Sequence, residues 1–392
     1  HQAFNISHPN SNISFITNSY WVKSDGSKKL INRIYNEKSL NEIVFFDDYP
    51  IFEEVSGKHM IHSYVNSKTD LNYETKLILV DKENFSKDVN KELVTYFSNQ
   101  DVLEVDSINL DTNSIKIFEN CIVLDELFKT SVGVQESSDK VAIKNIPKEL
   151  ENTYFGGEGV FVINSKEVEN LCLNEDELKI LKPYLNTSSV KKYGIEHDKE
   201  YLIFSDKINR KLIEEDSKYI NLKKHLDKVS PFITSSNAPY GLHRDRSSKI
   251  NPFELPKLIC PGMFKTPHFT YDDEKYYVGF SFSIIWVKDK NYSLKYLLAI
   301  MNSKLGEYWF NVNGKKRGVG VDIGVKVFRQ FPIKEAEINI QQPIINIVNE
   351  ILSLKEKKPK ADTTALEKEI DQMVYELYGL TEEEIAIIEN CK

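Results

Sequence analysis

The residues best placed to do chemistry are cations. Lys315, Lys316 and Arg317 stand consecutively in NGKKRG, between two glycines and just after the aromatic run Tyr308, Trp309, Phe310. GLHRDR sets His243, Arg244 and Arg246 around Asp245, Lys191 and Lys192 follow the small polar run NTSS, and Lys304 opens KLGEYWF. Adjacent like charges repel unless water or an anionic partner screens them. Arginine can read a guanine edge with two hydrogen bonds, whereas lysine more often neutralises a phosphate. The chain as a whole has formal charge −8, so attraction to a polyanion has to come from such local patches. The plain alternative for each group is a solvated loop or a structural ion pair.

Other chemistries find little support. Cys121, Cys172, Cys260 and Cys391 are far apart and form no C-x-x-C pair, which points to reduced thiols rather than a disulfide framework or a zinc site. The eight histidines supply no H-x-x-x-H pair beside an acid, so no metal is expected. The acid–lysine string Glu356-Lys357-Lys358 reads as the solvated face of a helix, not a nuclease centre. Asn237-Ala238-Pro239-Tyr240 reads as a turn, and the glycines of GVGVDIG at 318–324 sit too far from any strand-to-helix opening to bind a dinucleotide. No run of about 18 apolar residues occurs, so a cytoplasmic protein without a membrane partner is expected.

The elements that must position these cations follow from periodicity. At 392 residues with 41% hydrophobic and 28% charged side chains, the chain is globular and long enough for two or three domains. Over residues 1–82 the pattern is α/β: ISFIT, NEIVFFDD and MIHSYV read as strands, and GSKKLINRIYNEK as a helix with Leu30, Ile31, Ile34 and Tyr35 on one face. Residues 83–125 read as a connector with short strands in VLEVDSI and SIKIF. Residues 126–332 mix strand candidates (VAIKNI, GVFVIN, YLIFSD, PKLICP, YYVGFSFSIIWV) with one clear helix, SLKYLLAIMNSKLGEYWF. Residues 333–392 read as amphipathic helices folded into a hairpin, with Thr364 to Glu367 and Thr381 to Glu384 at capping-box spacing and Gly379 closing the middle helix.

Taken in order, several segments resemble the TaqI-like adenine-specific DNA methyltransferases, particularly the fused type IIG restriction–modification enzymes. These are SFITNSYWVKSDGSKKL, NEIVFFDDYPIFEEVSG, LDELFKTSVGVQES, LKILKPYLNTSSVKKYG, LPKLICPGMF, YLLAIMNSKLGEYWF, FPIK and IDQMVYELYGLTEEEI. Glu136 and Ser137 depart from the Thr-Gly usual at the entry to the recognition domain. The resemblance implies an α/β fragment, the C-terminal part of a Rossmann-like methyltransferase sheet, followed by a mixed α+β target-recognition domain and a C-terminal helical hairpin. Double-stranded DNA is the implied partner. Phe52 matches the aromatic that stacks on an adenine swung out of the duplex, a task suited to a ring because the extruded base has lost its neighbours.

The family's S-adenosylmethionine loop and its Asn-Pro-Pro-Tyr are missing from these residues, so no catalytic residue and no bound cofactor are expected in this chain. S-adenosylmethionine and the rest of the methyltransferase domain are expected in the full-length parent, with an N-terminal nuclease if the parent is one of the fused enzymes. Two other functions stay open at this stage: the specificity subunit of a multi-subunit restriction system, and an enzyme of unrecognised chemistry. The first usually carries two similar recognition halves, and no internal repeat is found.

Overall fold

The computed structural model describes residues 1–46, 51–52, 58–69, 73–80, 94–98, 102, 108, 117–118, 120–247, 250–288, 292–317 and 320–390. They divide into two units, His1–Glu119 and Asn120–Lys392. The arrangement is mixed α/β with several sheets.

In the first unit β1 (Asn12–Asn18), β2 (Ser39–Phe46), β3 (His59–Val65), β4 (Glu74–Val80) and β5 (Val94–Ser98) form one sheet in the order β1-β3-β2-β4-β5. β3 runs antiparallel to both β1 and β2, which are therefore parallel to one another. β2 and β4 are parallel, and β4 and β5 antiparallel. The helix Lys28–Glu37 joins β1 to β2 and buries Ile31 and Ile34 completely, as its apolar stripe predicts, while Leu30 and Tyr35 pack at the margin of the core. His62 sits among Phe15, Trp21 and Tyr64, with ring centroids 5.2–5.7 Å away. Burial lowers its pKa to about 4, so it serves as a neutral core ring. Most of the expected strands VLEVDSI and SIKIF lie outside the described residues.

The second unit is built on two four-stranded sheets. In one, Thr270–Asp272, Lys257–Pro261, Phe282–Val287 and Phe128–Val132 lie side by side, all antiparallel. In the other the order is Tyr277–Val278, Leu181–Leu185, Glu200–Ile203, Val162–Asn164, with only the first pair parallel. Lys257 and Asp272, opposite one another in the first sheet, form an ion pair whose side chains are wholly buried. Lys257 also donates to the Phe253 carbonyl (2.8 Å), and Asp272 accepts from the amides of Glu274 (2.9 Å) and Tyr276 (3.1 Å). Each charge is thus satisfied where no water reaches it.

Four expectations need correction. VAIKNI forms no strand: Ile143–Asn145 is a 3₁₀ turn with Ile143 largely exposed, leading into Pro147. The recognition region contains more than one helix, because Ser165–Leu171, Glu175–Ile180, Lys207–Glu215 and Ile220–Val229 are helical too. They are short and polar, which hides their periodicity, but the Asn164…Glu167 and Asn174…Glu177 capping boxes were a usable signal. SLKYLLAIMNSKLGEYWF is two helices, Leu294–Asn302 and Lys304–Asn313. Ser303 separates them in extended conformation, and its hydroxyl accepts the Gly306 amide to start the second. Finally, Lys315–Arg317 is a strand rather than a loop.

The C-terminal helices Ile338–Lys357, Thr364–Tyr378 and Glu382–Asn390 match the sequence pattern, and the first two pack on each other. Gly379 closes the middle helix at φ +68. Its cap is Thr363, one residue earlier than expected; its hydroxyl bonds the Glu367 carboxylate (2.7 Å).

Candidate nucleic-acid interface

The structure sorts the expected basic residues into three environments. The first is the thread 133–136 that continues the strand Phe128–Val132. Gln135 and Arg244 exchange two backbone hydrogen bonds (2.9 and 3.1 Å), and the Arg246 guanidinium Nε donates to the Gly133 carbonyl (3.3 Å). Arg246 holds φ +65, a left-handed backbone uncommon for a side-chain-bearing residue. Burial lowers its pKa, and so does the nearby charge of Arg244, which outweighs the opposing pull of Asp245. Asp245 is occupied by the Ser247 amide and hydroxyl, both at 2.7 Å. The Arg244 side chain is exposed and has no ion pair among the described residues. His243 Nδ1 lies 3.2 Å from the Ser236 hydroxyl.

The second environment gathers Lys192 and Lys304 at the helix Thr364–Tyr378. Lys192 pairs with Glu367 at 2.6 Å. Lys304 gives its amide to Asp371 (2.8 Å) and its ammonium to Glu307 (2.8 Å). Burial raises the pKa of Asp371, and the charges of Lys192 and Lys304 hold it back. Lys191 is different. It lies in the hairpin Val190–Lys191/Gly194–Ile195, exposed and without an ion pair among the described residues. Tyr193, almost fully buried, turns that hairpin at φ +60 and ties it to the Phe269 carbonyl (3.0 Å).

The third is a small sheet of Met263–Phe264, Gly320–Asp322 and Lys315–Arg317. Lys315 is exposed; the side chains of Lys316 and Arg317 lie outside the described residues. The strand hangs from the helix Lys304–Asn313, whose Tyr308, Trp309 and Phe310 are buried. Phe310 stacks with Phe269 and Phe331. A Cβ on Gly314 would come within 2.1 Å of Val321, so only glycine lets helix and strand close together here.

Phe52 belongs to the first unit. Its ring is 41% exposed and meets His59 edge-on at 5.2 Å; residues 47–50 and 53–57 around it lie outside the described residues. No group of His, Cys, Asp and Glu that could hold a metal occurs among the described residues, and no helix there is long and apolar enough to cross a membrane.

Residues 182–333 match the family described as the TaqI-like C-terminal specificity domain. Over these residues the chain resembles a TaqI-like specificity domain. It is also similar to the type II methyltransferase M.MjaIV of Methanocaldococcus jannaschii, 24% identical over 246 residues that cover 60% of this chain and 80% of that protein. Among solved structures it resembles the type IIL restriction–modification enzyme MmeI, determined in complex with DNA. That likeness has TM-score 0.52 and 13% identity and covers 99% of this chain and 50% of MmeI. The type IIG restriction endonuclease BpuSI is matched at TM-score 0.40 and 13% identity over 96% of this chain and 48% of that one. The chain thus spans half the length of the MmeI chain it matches. The resemblance read from the ordered segments is borne out.

All nine basic residues singled out from the sequence lie inside the specificity domain, and Phe52 lies outside it. Sequence reasoning missed the partners that decide their availability. Glu367 and Asp371 are spaced i, i+4 on a helix beyond the domain and gave no sign of reaching back. Tyr193 reads as one more tyrosine. Glu136, buried and bonded by the Tyr184 hydroxyl at 2.9 Å, left a trace as the departure from the family's Thr-Gly.

Proposed function

We propose that the chain is the sequence-reading part of a restriction–modification adenine-specific DNA methyltransferase, placing a target adenine for S-adenosylmethionine-dependent methylation in the cytoplasm. One observation carries the reading: Arg244 and Arg246 lie close enough for their charges to act on each other within the specificity domain, with Arg244 exposed and free of any carboxylate among the described residues. Two crowded guanidinium groups favour an anionic partner, and duplex DNA offers both phosphates and guanine edges. Lys191 and Lys315, exposed and unpaired among the described residues, fit phosphate contacts, and Lys316 and Arg317 extend that strand. His243, Lys192 and Lys304 complete the surface.

Residues 1–82 fit the end of a methyltransferase sheet. β1 and β2 are parallel strands joined through a helix, the unit of a doubly wound sheet, with antiparallel β3 between them. On this reading 126–332 recognises DNA and 333–392 buttresses it, while 83–125, expected as a connector, also supplies β5 to the first sheet. Phe52 would stack on the extruded adenine. The residues present do not fit S-adenosylmethionine itself: the first unit has two glycines, Gly26 within a 3₁₀ turn and Gly57 outside the described residues. The cofactor loop, the catalytic Asn-Pro-Pro-Tyr and any nuclease are assigned to the parent.

The test is fluorescence anisotropy with random duplexes across about 50–200 mM salt, the range over which phosphate contacts weaken. Replacing Lys315, Lys316 and Arg317 with alanine should lower the slope of log affinity against log salt by roughly 2–3 units. Selection from a random duplex library should enrich one motif. Absence of salt-dependent binding overturns the reading.

A further inference from the structure

Glu136 stands at a joint. Val134 takes the Val278 carbonyl (2.9 Å) on one side of the thread 133–136, and Gln135 pairs with Arg244 on the other. The Glu136 side chain is 5% exposed, and its Oε1 accepts the hydroxyl of Tyr184, from the strand Leu181–Leu185, at 2.9 Å. A Cβ on Gly279 would sit 2.5 Å from the Tyr184 hydroxyl and 3.0 Å from Glu136 Oε1, so the chain is glycine where this pair fills the space. The pair thereby fastens, from beneath, the backbone that holds both arginines: Gln135 bonds Arg244 and Gly133 bonds Arg246.

We infer that Glu136, clasped by Tyr184, is a positioning residue that presents Arg244 and Arg246 to DNA. This rests on the DNA-binding role proposed for the two arginines. Burial pushes the Glu136 carboxyl up to about 7, with the backbone and Tyr184 opposing the rise and Asp139 adding to it. Glu200 also acts on Tyr184, and Glu200 is itself paired with Lys140. The link from Glu136 to the arginines runs through the backbone of Gly133 and Gln135.

The experiment is a cycle of anisotropy titrations with random duplexes on the whole chain. The variants are Glu136→Gln, Glu136→Ala, Tyr184→Phe, Arg244→Ala/Arg246→Ala, and the latter combined with Glu136→Ala. Glu136→Ala should weaken binding several-fold and add nothing once the arginines are gone. Glu136→Gln keeps an acceptor for the Tyr184 hydroxyl and should keep the affinity that Glu136→Ala loses. If Glu136→Ala does not fold, Tyr184→Phe keeps the ring and removes only the hydroxyl, and it should weaken binding in the same non-additive way. Additive losses, or a Glu136→Gln variant that binds as weakly as Glu136→Ala, overturn the inference. If the arginine variant binds DNA like the parent, the underlying reading fails instead, and that result is visible in its own arm.

Discussion

Arg244 and Arg246, on one side, and Lys192 and Lys304, on the other, look alike in sequence: cations close to small polar residues within 182–333. In the fold they differ in what carboxylates can reach them. Lys192 meets Glu367 and Lys304 meets Asp371 and Glu307, so their charge is spent within the chain. Asp245, the acid nearest the arginines, turns to Ser247 instead. Local composition does not make a cation available for a ligand. The reach of distant acids does.

The comparison can be broken or sharpened by three experiments. The largest effect is expected from Arg244→Ala/Arg246→Ala, which should lower the salt slope by about 1.8 if both meet phosphates, at 0.9 per contact. A loss of affinity without a change of slope would mean that they read base edges. Next, Lys192→Ala/Lys304→Ala should lower the slope by less than half as much, because these lysines are already neutralised. An equal drop would erase the distinction drawn above. The smallest effect is expected from Glu307→Gln/Glu367→Gln, which removes the carboxylates bonded to the two ammonium groups. The freed lysines should tighten duplex binding by a few-fold at low salt, while thermal unfolding shows a loss of about 1 kcal/mol or less, as for partly exposed pairs.

Much of the architecture was legible because its signals are local. The stripe of Ile31 and Ile34, the Gly379 stop and the Thr381…Glu384 box each depend on a few neighbouring residues, and each formed. The break at Ser303 was not, since an apolar stripe runs straight across it and only the hydroxyl's bond to Gly306 reveals the stop. Lys315–Arg317 pairs as a strand because Gly320–Asp322, three to seven residues on, folds back on it, and three-residue strands are too short for periodicity to reveal. For the candidate interface, residue types and order pointed to cations that fall within the matched residues 182–333. The hydroxyl that meets Glu136 and the counter-ion of Lys192 come from residues 48 and 175 positions away, whereas the counter-ion of Lys304 lies three residues on. No local pattern encodes the two distant partners.

The buried pair of Lys257 and Asp272 has a consequence for how such a domain can change over generations. Losing either member leaves a lone charge in the core, a cost of about 3–5 kcal/mol against a total stability of about 5–15. The two positions can therefore drift only in step. The exposed cations Lys191, Arg244 and Lys315 have no ion pair among the described residues and are free to vary one residue at a time. Homologues that read different sites should keep both members of this pair or neither, while their arginines come and go.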